Sequence, residues 1–490
     1  MGIPRTAVTA AAAAALLGAV TVPLTANTAS AAVGTATVRE DFDGDGYQDL
    51  VVAVPAAKVG GHSWAGYIAV SYGSPTGLGR ARTTVLTQDS PGVPGAVGDN
   101  HGFGYELIPR DLDGDGLTDL AVATHEYRPA DNVGGSVIIL WGRTTGLSGQ
   151  GAVRVPAPAN AFVGDDITAG DFDGDGHPDL FLRDSEDFDH HDVLYGPFGR
   201  DGAPARDQRL MVYSTDNTIC TTAAGDFNGD GIEDLATFYV YEDHAEGGKL
   251  WLGTRQGLST VPRRLPSANA TAVGDFDRDG YADLATRVYP NGLTDLGEDA
   301  GTVRIYYGSP DGPSTTRTRT ITQETAGVPG VSEKGDQFGA RLNAGDVNGD
   351  GYADLAVGDP GEAIGRVAKA GSVVLLKGGR GGLTGTGAQA FHQDTPGVPG
   401  AVEKGDLFGG SLRLLDVTGD GKADLAAGAP GEDLGRVVNG GAVWLLRGTA
   451  SGVTAAKAYA VNPVDLGAPA AGAEFGENLG GDNGPLLVIP

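Results

Sequence analysis

The chain has 490 residues, with 63 acidic against 34 basic side chains and a formal net charge of −29. That excess argues against nucleic acid and anionic membrane surfaces as partners, because both would repel it. With 40 % hydrophobic residues and 82 glycines that lack a three-residue period, the composition fits neither a disordered chain nor a collagen-like fibre.

The N-terminus reads as an export signal. Arg5 supplies positive charge, Ala7 to Leu24 an apolar stretch, and Ala29-Ser30-Ala31 a small-residue cleavage site. Cleavage after Ala31 is expected, leaving residues 32–490 as one secreted, extracellular domain. Gly2 and Thr6 match a myristoylation pattern, which the export signal outweighs. No later apolar run of about 20 residues could span a bilayer, so no transmembrane anchor is expected. The single cysteine, Cys220, lies in TICTTAAG and reads as a buried small hydrophobe; stability must come from packing, metal or both.

From residue 41 onward one decapeptide recurs seven times. It reads DFDGDGYQDL at 41, DLDGDGLTDL at 111, DFDGDGHPDL at 171 and DFNGDGIEDL at 226, then DFDRDGYADL at 275, DVNGDGYADL at 346 and DVTGDGKADL at 416. In each copy side-chain oxygens stand at positions 1, 3 and 5, a backbone carbonyl at 7 and a carboxylate at 9. Glycine at position 6 permits the tight turn; Arg278 replaces the usual glycine at position 4 in the fifth copy. Hard oxygen donors at this spacing, without sulfur or imidazole, suit Ca2+. An EF-hand would need a glutamate at position 12, where these copies have Val52, Val122, Leu182, Thr237, Thr286, Val357 and Ala427. A tandem nonapeptide solenoid would repeat every nine residues, far closer than these copies.

Strands are expected on both sides of each loop. Asp-Leu leads into short apolar runs such as VVAVP, and a second run ending in glycine follows. It reads GYIAVSYG at 66, GSVIILWG at 135, DVLYG at 192, GKLWLG at 248, GTVRIYYG at 301, GSVVLLKG at 371 and GAVWLLRG at 441. A further run usually comes next, such as TTVLTQ at 83 or RTITQE at 319. One strand before the loop, one after it and two more give four per unit, and nearly all-apolar runs imply sheets covered on both faces. Four-stranded units repeated around a ring make a β-propeller. Phe-Gly precedes the loops at 103, 338 and 408 but not the first loop, and it recurs at Phe475-Gly476 with no full loop behind it. The expected fold is therefore all-β: a seven-bladed propeller of four-stranded blades, closed by a C-terminal strand given to the first blade. A solenoid would instead end in a polar cap.

Phe-Gly, the aspartate loop, then AVGDP at 356 or AAGAP at 426 resembles the FG-GAP repeat of integrin α-subunit propellers, here of a bacterial secreted type. The resemblance covers residues 35 to 490; repeats three to five are shorter, lack Phe-Gly, and read FLRDS, ATFYV and ATRVY where the GAP segment belongs. It implies calcium loops between the first two strands of each blade, on one rim, with up to seven Ca2+, one per blade. By that resemblance the ligands are Asp41, Asp43, Asp45, the Tyr47 carbonyl and Asp49 in the first loop, and Asp111, Asp113, Asp115, Leu117 and Asp119 in the second. They continue as Asp171, Asp173, Asp175, His177 and Asp179, then Asp226, Asn228, Asp230, Ile232 and Asp234, then Asp275, Asp277, Asp279, Tyr281 and Asp283. The last two sets are Asp346, Asn348, Asp350, Tyr352 and Asp354, and Asp416, Thr418, Asp420, Lys422 and Asp424. Integrins carry such loops in only some blades, so seven is a departure. No inserted metal-dependent adhesion domain is recognisable, so a monomer is expected rather than an integrin-type heterodimer.

Catalytic motifs are absent from the sequence. GHSWAG at 61 only approaches a nucleophile elbow, His125-Glu126 lacks a second histidine, and His190-His191 in DFDHHD reads as a solvated loop. By family topology the opposite rim carries His62 to Trp64, Glu126 to Arg128, Asp187 to Asp192, Tyr241 to His244 and Asn291 to Asp299. Trp64, Tyr127 and Arg128 are the candidate contacts there for an extracellular protein or glycan, since loops on a rigid scaffold commonly carry binding. The expected function is recognition or cell adhesion. The alternative is a secreted hydrolase, because FG-GAP propellers also accompany enzymes similar to glycosylphosphatidylinositol phospholipase D.

Overall fold

Strands that are apolar on both faces need cover on both faces, and sheets stacked around an axis supply it. The computed structural model describes residues 40–79, 82–126, 134–156, 163–184, 190–211, 218–241, 244–288 and 299–481. Among these residues there are strands and turns and no α-helix. The expected signal peptide lies outside the described residues, as do Tyr127 and Arg128.

The strands form seven antiparallel sheets in chain order. Blade 1 holds β1 (Leu50–Val54), β2 (Tyr67–Ser71) and β3 (Thr83–Leu86); blade 2 holds β4 (Leu107–Arg110), β5 (Asp119–Thr124), β6 (Ser136–Leu140) and β7 (Val153–Arg154). Blade 3 contains β8 (Val163–Gly170), β9 (Asp179–Asp184), β10 (His190–Tyr195) and β11 (Arg206–Met211), and blade 4 contains β12 (Thr218–Gly225), β13 (Asp234–Tyr241), β14 (His244–Trp251) and β15 (Arg263–Leu265). Blade 5 is β16 (Thr271–Gly274), β17 (Asp283–Arg287), β18 (Val303–Tyr306) and β19 (Thr318–Ile321). Blade 6 is β20 (Arg341–Gly345), β21 (Asp354–Asp359), β22 (Ser372–Lys377) and β23 (Thr384–Phe391), and blade 7 is β24 (Ser411–Leu415), β25 (Asp424–Ala429), β26 (Ala442–Thr449) and β27 (Gly452–Val461). The second strands β5, β21 and β25 are buried along their whole length, whereas outer β19 is exposed at three of its four residues.

Seven apolar clusters join each blade to the next, so the ring is closed. The closing cluster packs Val52, Tyr67 and Ala69 of blade 1 against Ala426, Leu445 and Phe475 from the far end of the chain. The sheet of blade 1 has three strands, and the C-terminal segment meets it on the side where the sequence implied a fourth, through a single bridge: Ala53 pairs antiparallel with Asn478 and donates its N–H to the Asn478 carbonyl at 2.9 Å. Buried Glu40 forms an ion pair with Arg413 of β24, adding a polar tie at the same junction.

Local expectations needed correction in four places. His190 and His191 are not a solvated loop; they begin β10, and His191 is buried edge-on against Phe181 at 5.5 Å. Asp192 likewise belongs to β10, paired with Leu182 and Arg209, rather than to a rim loop. Cys220 is half-buried, and its Sγ–H points to the carbonyls of Ala268 at 3.2 Å and Phe238 at 3.5 Å. Phe103-Gly104 forms a turn before β4 rather than part of the strand, with Gly104 at φ +92°.

Side-chain clasps also cross the junctions. Gln323 Nε2–H donates to Asp359 and Glu362 of blade 6, both at 2.8 Å, and Gln393 does the same to Glu432 of blade 7 at 2.6 Å. Ala429 stands in blade 7 where blade 6 has Asp359, so only the first clasp holds two carboxyls on one amide. Burial, reinforced by Glu362 and Asp336 and opposed by Arg287, holds Asp359 well above its ordinary range. A folded value above the unfolded 3.8 means the folded form keeps a proton that the unfolded form releases. Stability from this group is therefore lost as pH rises from about 4 through the folded value. Asp359→Ala should gain thermal stability over wild type at pH 8 and little at pH 4.5; a difference independent of pH in denaturation scans would contradict this.

Candidate metal centres on one rim

In blades 2 to 7 the aspartate loop connects the first and second strands, and in blade 1 it leads into β1; every loop folds through hydrogen bonds to its own carboxylates. In the first, Asp41 accepts from the N–H of Asp45 at 3.1 Å and of Gly46 at 2.9 Å, Asp43 from Asp45 at 3.1 Å, and Asp45 from Tyr47 at 3.1 Å. The turn needs a left-handed residue at position 6, where Gly46 has φ +93°. These bonds gather the acids. Carboxylate oxygens within 4.8 Å of one another come from Asp41, Asp43 and Asp45; Asp111, Asp113 and Asp115; Asp171, Asp173 and Asp179; and Asp275, Asp277 and Asp279. In the other three loops position 3 is Asn228, Asn348 or Thr418, which brings a neutral oxygen instead.

The position-9 aspartate ties the loop to the blade. Asp49 accepts from the N–H of Phe42 at 2.9 Å and of Gly73, beyond β2, at 2.8 Å. The bond to the glycine at the end of the third strand repeats at Asp119, Asp179, Asp234, Asp283, Asp354 and Asp424. All seven are buried, and burial pushes Asp49, Asp179, Asp234 and Asp283 up to about 8, Asp119 and Asp354 to about 7 and Asp424 to about 6. A carboxylate taken out of water beside further carboxylates is costly as an anion, and a nearby cation offsets that cost. The all-oxygen donor set therefore fits a hard divalent ion such as Ca2+.

Sequence reading missed how the loops grip one another. The position-8 N–H donates to the position-1 carbonyl of the preceding loop at six of the seven junctions. The donors are Thr118 to Asp41, Glu233 to Asp171, Ala282 to Asp226, Ala353 to Asp275, Ala423 to Asp346 and, closing the ring, Gln48 to Asp416, at 2.8–3.2 Å. The gap falls at Pro178, which has no N–H to give. Position 7 supplies a side chain as well as a carbonyl. Leu117 packs over Gly44, His177 over Gly114, Ile232 over Gly174, Tyr281 over Gly229 and Tyr47 over Gly419, so close that a Cβ on those glycines would meet the neighbour's side chain at under 3 Å. Glycine at position 4 thus makes room for the adjoining loop. Arg278 at that position holds φ +56° and donates to the Asp350 carbonyl of the next loop at 3.2 Å.

On the opposite rim, the loop after β1 folds as do those after β21 and β25, each with a short bridge: Val59 to His62, Ile364 to Val367 and Leu434 to Val437. Trp64, Lys369 and Asn439 occupy one left-handed position, at φ +53°, +54° and +49°. The Trp64 side chain is 60 % exposed. A cavity of about 560 Å³ lies on the axis, lined in part by Gln48, Arg110, Glu233, Asn343 and Arg413.

The FG-GAP repeat model matches residues 33–71, 267–306, 338–376 and 408–446, and an FG-GAP-like repeat model matches 111–182. The chain is an FG-GAP repeat propeller, integrin α-like in kind. Over 103 residues it is 40 % identical to integrin alpha-PS5 of Drosophila melanogaster, covering 20 % of this chain and 9 % of that protein. Over 215 residues it is 28 % identical to the phosphatidylinositol-glycan-specific phospholipase D of Rattus norvegicus, 42 % of this chain and 24 % of that protein. The FG-GAP propeller thus matches only a quarter or less of these curated relatives. Among solved structures, the Dos1 propeller aligns with a TM-score of 0.39 at 9 % identity, over 81 % of this chain and 79 % of that one.

Asp49→Ala would leave two amides without their acceptor, at a cost of about 1–3 kcal/mol each. Its melting midpoint in chelator should therefore fall below wild type; an unchanged midpoint would show that position 9 does not brace the blade.

Proposed function

We propose that this FG-GAP propeller is a secreted, calcium-binding recognition or adhesion module, with Ca2+ held by the seven loops on one rim and a protein or glycan ligand met on the other. In each loop the residues named at positions 1, 3, 5, 7 and 9 would hold the ion, whose contribution is to neutralise clustered and buried carboxylates. At about 1 mM calcium, a site with a Kd of about 10⁻⁴ M adds about 1.4 kcal/mol to stability. Seven such sites together reach the margin of a whole domain.

The observation that carries the recognition reading is Trp64. A bulky residue in the left-handed region costs backbone strain, and its counterparts Lys369 and Asn439 show that the turn itself needs no tryptophan. An exposed, strained aromatic on a rigid rim is a feature that binding explains and folding does not. An extracellular location agrees with the N-terminal sequence and with the excess of acid. No helix among the described residues is long and apolar enough to cross a membrane.

The second reading, hydrolysis, draws on the named activity of the phospholipase D relatives and on the axial cavity. Its lining offers less support: Glu233 accepts the Asp171 N–H at 2.9 Å, Arg413 pairs with Glu40, and Arg110 donates to the Ala169 carbonyl at 3.4 Å, so these groups already serve the scaffold.

An array of cell-wall glycans, host-type glycans and matrix proteins, scored for retention and for products with calcium and with chelator, tests both readings. Retention without products, lost on chelation and lost in Trp64→Ala with an unchanged melting midpoint, is expected. Released products would favour the hydrolase, and retention indifferent to Trp64→Ala would remove that rim from the account.

A further inference from the structure

The seven loops fall into two classes that the ligand positions alone do not explain. Position 3 is aspartate in four blades, as Asp43, Asp113, Asp173 and Asp277, and neutral in the other three. Every one of the four aspartates is met by an arginine from outside its loop: Arg82 on Asp43, Arg200 on Asp113 at 2.6 Å, Arg206 on Asp173 at 2.6 Å and Arg317 on Asp277. Each guanidinium in turn lies over an aromatic ring. Arg82 covers Tyr72 at 4.7 Å, Arg200 Trp141 at 4.6 Å, Arg206 Tyr195 at 3.3 Å and Arg317 Tyr307 at 4.7 Å.

Those four rings share one place in the repeat, immediately before the glycine that donates to the position-9 aspartate. In the blades with a neutral third position the residue there is Leu252, Lys377 or Arg447. Among the described residues, acidic third position, stacked arginine and aromatic ring at this place in the repeat occur together or not at all. Blade 2 sharpens the point. Gly151 follows Trp141 at the distance at which Arg82 follows Tyr72 and Arg317 follows Tyr307, and the arginine is instead brought in by Arg200 from the turn of blade 3.

We infer that these four arginines are positioning residues that set the charge of their loops for the cation; the inference rests on the calcium reading. At the ligand positions a four-aspartate loop carries four negative charges and the others three. Adding the guanidinium brings the two classes level. The contact geometry fits this role. Asp43 turns Oδ1 to the Asp45 N–H and Oδ2 to Arg82, so the arginine approaches from outside the turn; Asp113 and Asp173 divide their oxygens in the same way. Three of the four also reach position 5, with Arg82 on Asp45 at 3.1 Å, Arg200 on Asp115 at 2.7 Å and Arg317 on Asp279 at 2.6 Å. Stacking on a ring holds the side chain in place without a further carboxylate. The seventh loop, where Lys422 lies 3.5 Å from Asp420, is left the least acidic of the neutral class.

Calorimetric titration with Ca2+, paired with melting in chelator, tests this in the full chain. Arg82→Gln removes the charge and keeps a hydrogen-bonding head. It should create one site about tenfold tighter than wild type, the scale Coulomb's law gives for one added charge about 6 Å from a divalent ion at the dielectric of water. Its melting midpoint in chelator should fall, and the tightening should shrink with added salt. The double variant Asp43→Asn with Arg82→Gln, which copies the fourth and sixth loops, should return both readouts to wild type. If Arg82→Gln instead weakens or leaves unchanged the calcium affinity, or the double variant fails to restore it, the charge-setting role is overturned while the calcium reading stands. A wild type that takes up no calcium would overturn the calcium reading and this inference with it.

Discussion

A buried carboxylate at the ninth position of each loop is the constraint from which the rest of this propeller follows. In five blades it accepts two backbone amides, one from its own loop and one from the end of the third strand, while at Asp234 and Asp424 it accepts the second, and so it fastens the loop to its blade. Held out of water beside other aspartates, it is costly as an anion and raised in pKa by burial. The same loop that imposes this cost assembles the oxygens that a divalent cation would need. Fold and candidate ion site share the same residues, so a loop cannot be lost from a blade without loosening the strands beside it.

The loops also belong to one another. Position 8 of one loop donates to position 1 of the loop before it at every junction but that of Pro178, and at five junctions position 7 covers the neighbour's position-4 glycine. The chain of contacts closes on itself through Gln48 and Asp416 and through Tyr47 and Gly419, in step with the apolar cluster that joins the first and last blades. A ring bound in this way is stiff on one rim, which leaves the other free to carry loops of varied length. Trp64 sits there in a strained conformation that only a rigid support sustains.

Much of this was legible in the sequence because the repeat is dense and local. Aspartate spacing, the glycine at position 6 and the paired apolar runs all act within about ten residues of one another, and they indicated propeller, blade count and closure. What stayed hidden depends on partners a whole blade away. The tyrosine or leucine at position 7 reads as filler until its neighbour's glycine is found beneath it, and the arginines sit at no constant distance from the aspartates they meet. The DFDHHD stretch misled because its polarity suggested solvent, whereas pairing with β9 and β11 puts one histidine inside.

The central claim is that ion binding in the loops braces the ring from blade to blade. Amide hydrogen exchange at Gln48, Thr118, Glu233, Ala282, Ala353 and Ala423, the six position-8 donors, measures it most directly. With calcium these amides should be strongly protected, and chelation should release all six together while the buried amides of β5, β21 and β25 stay protected. Protection at the six that is the same with and without calcium would mean that the ring is held by packing alone, and the account would fail.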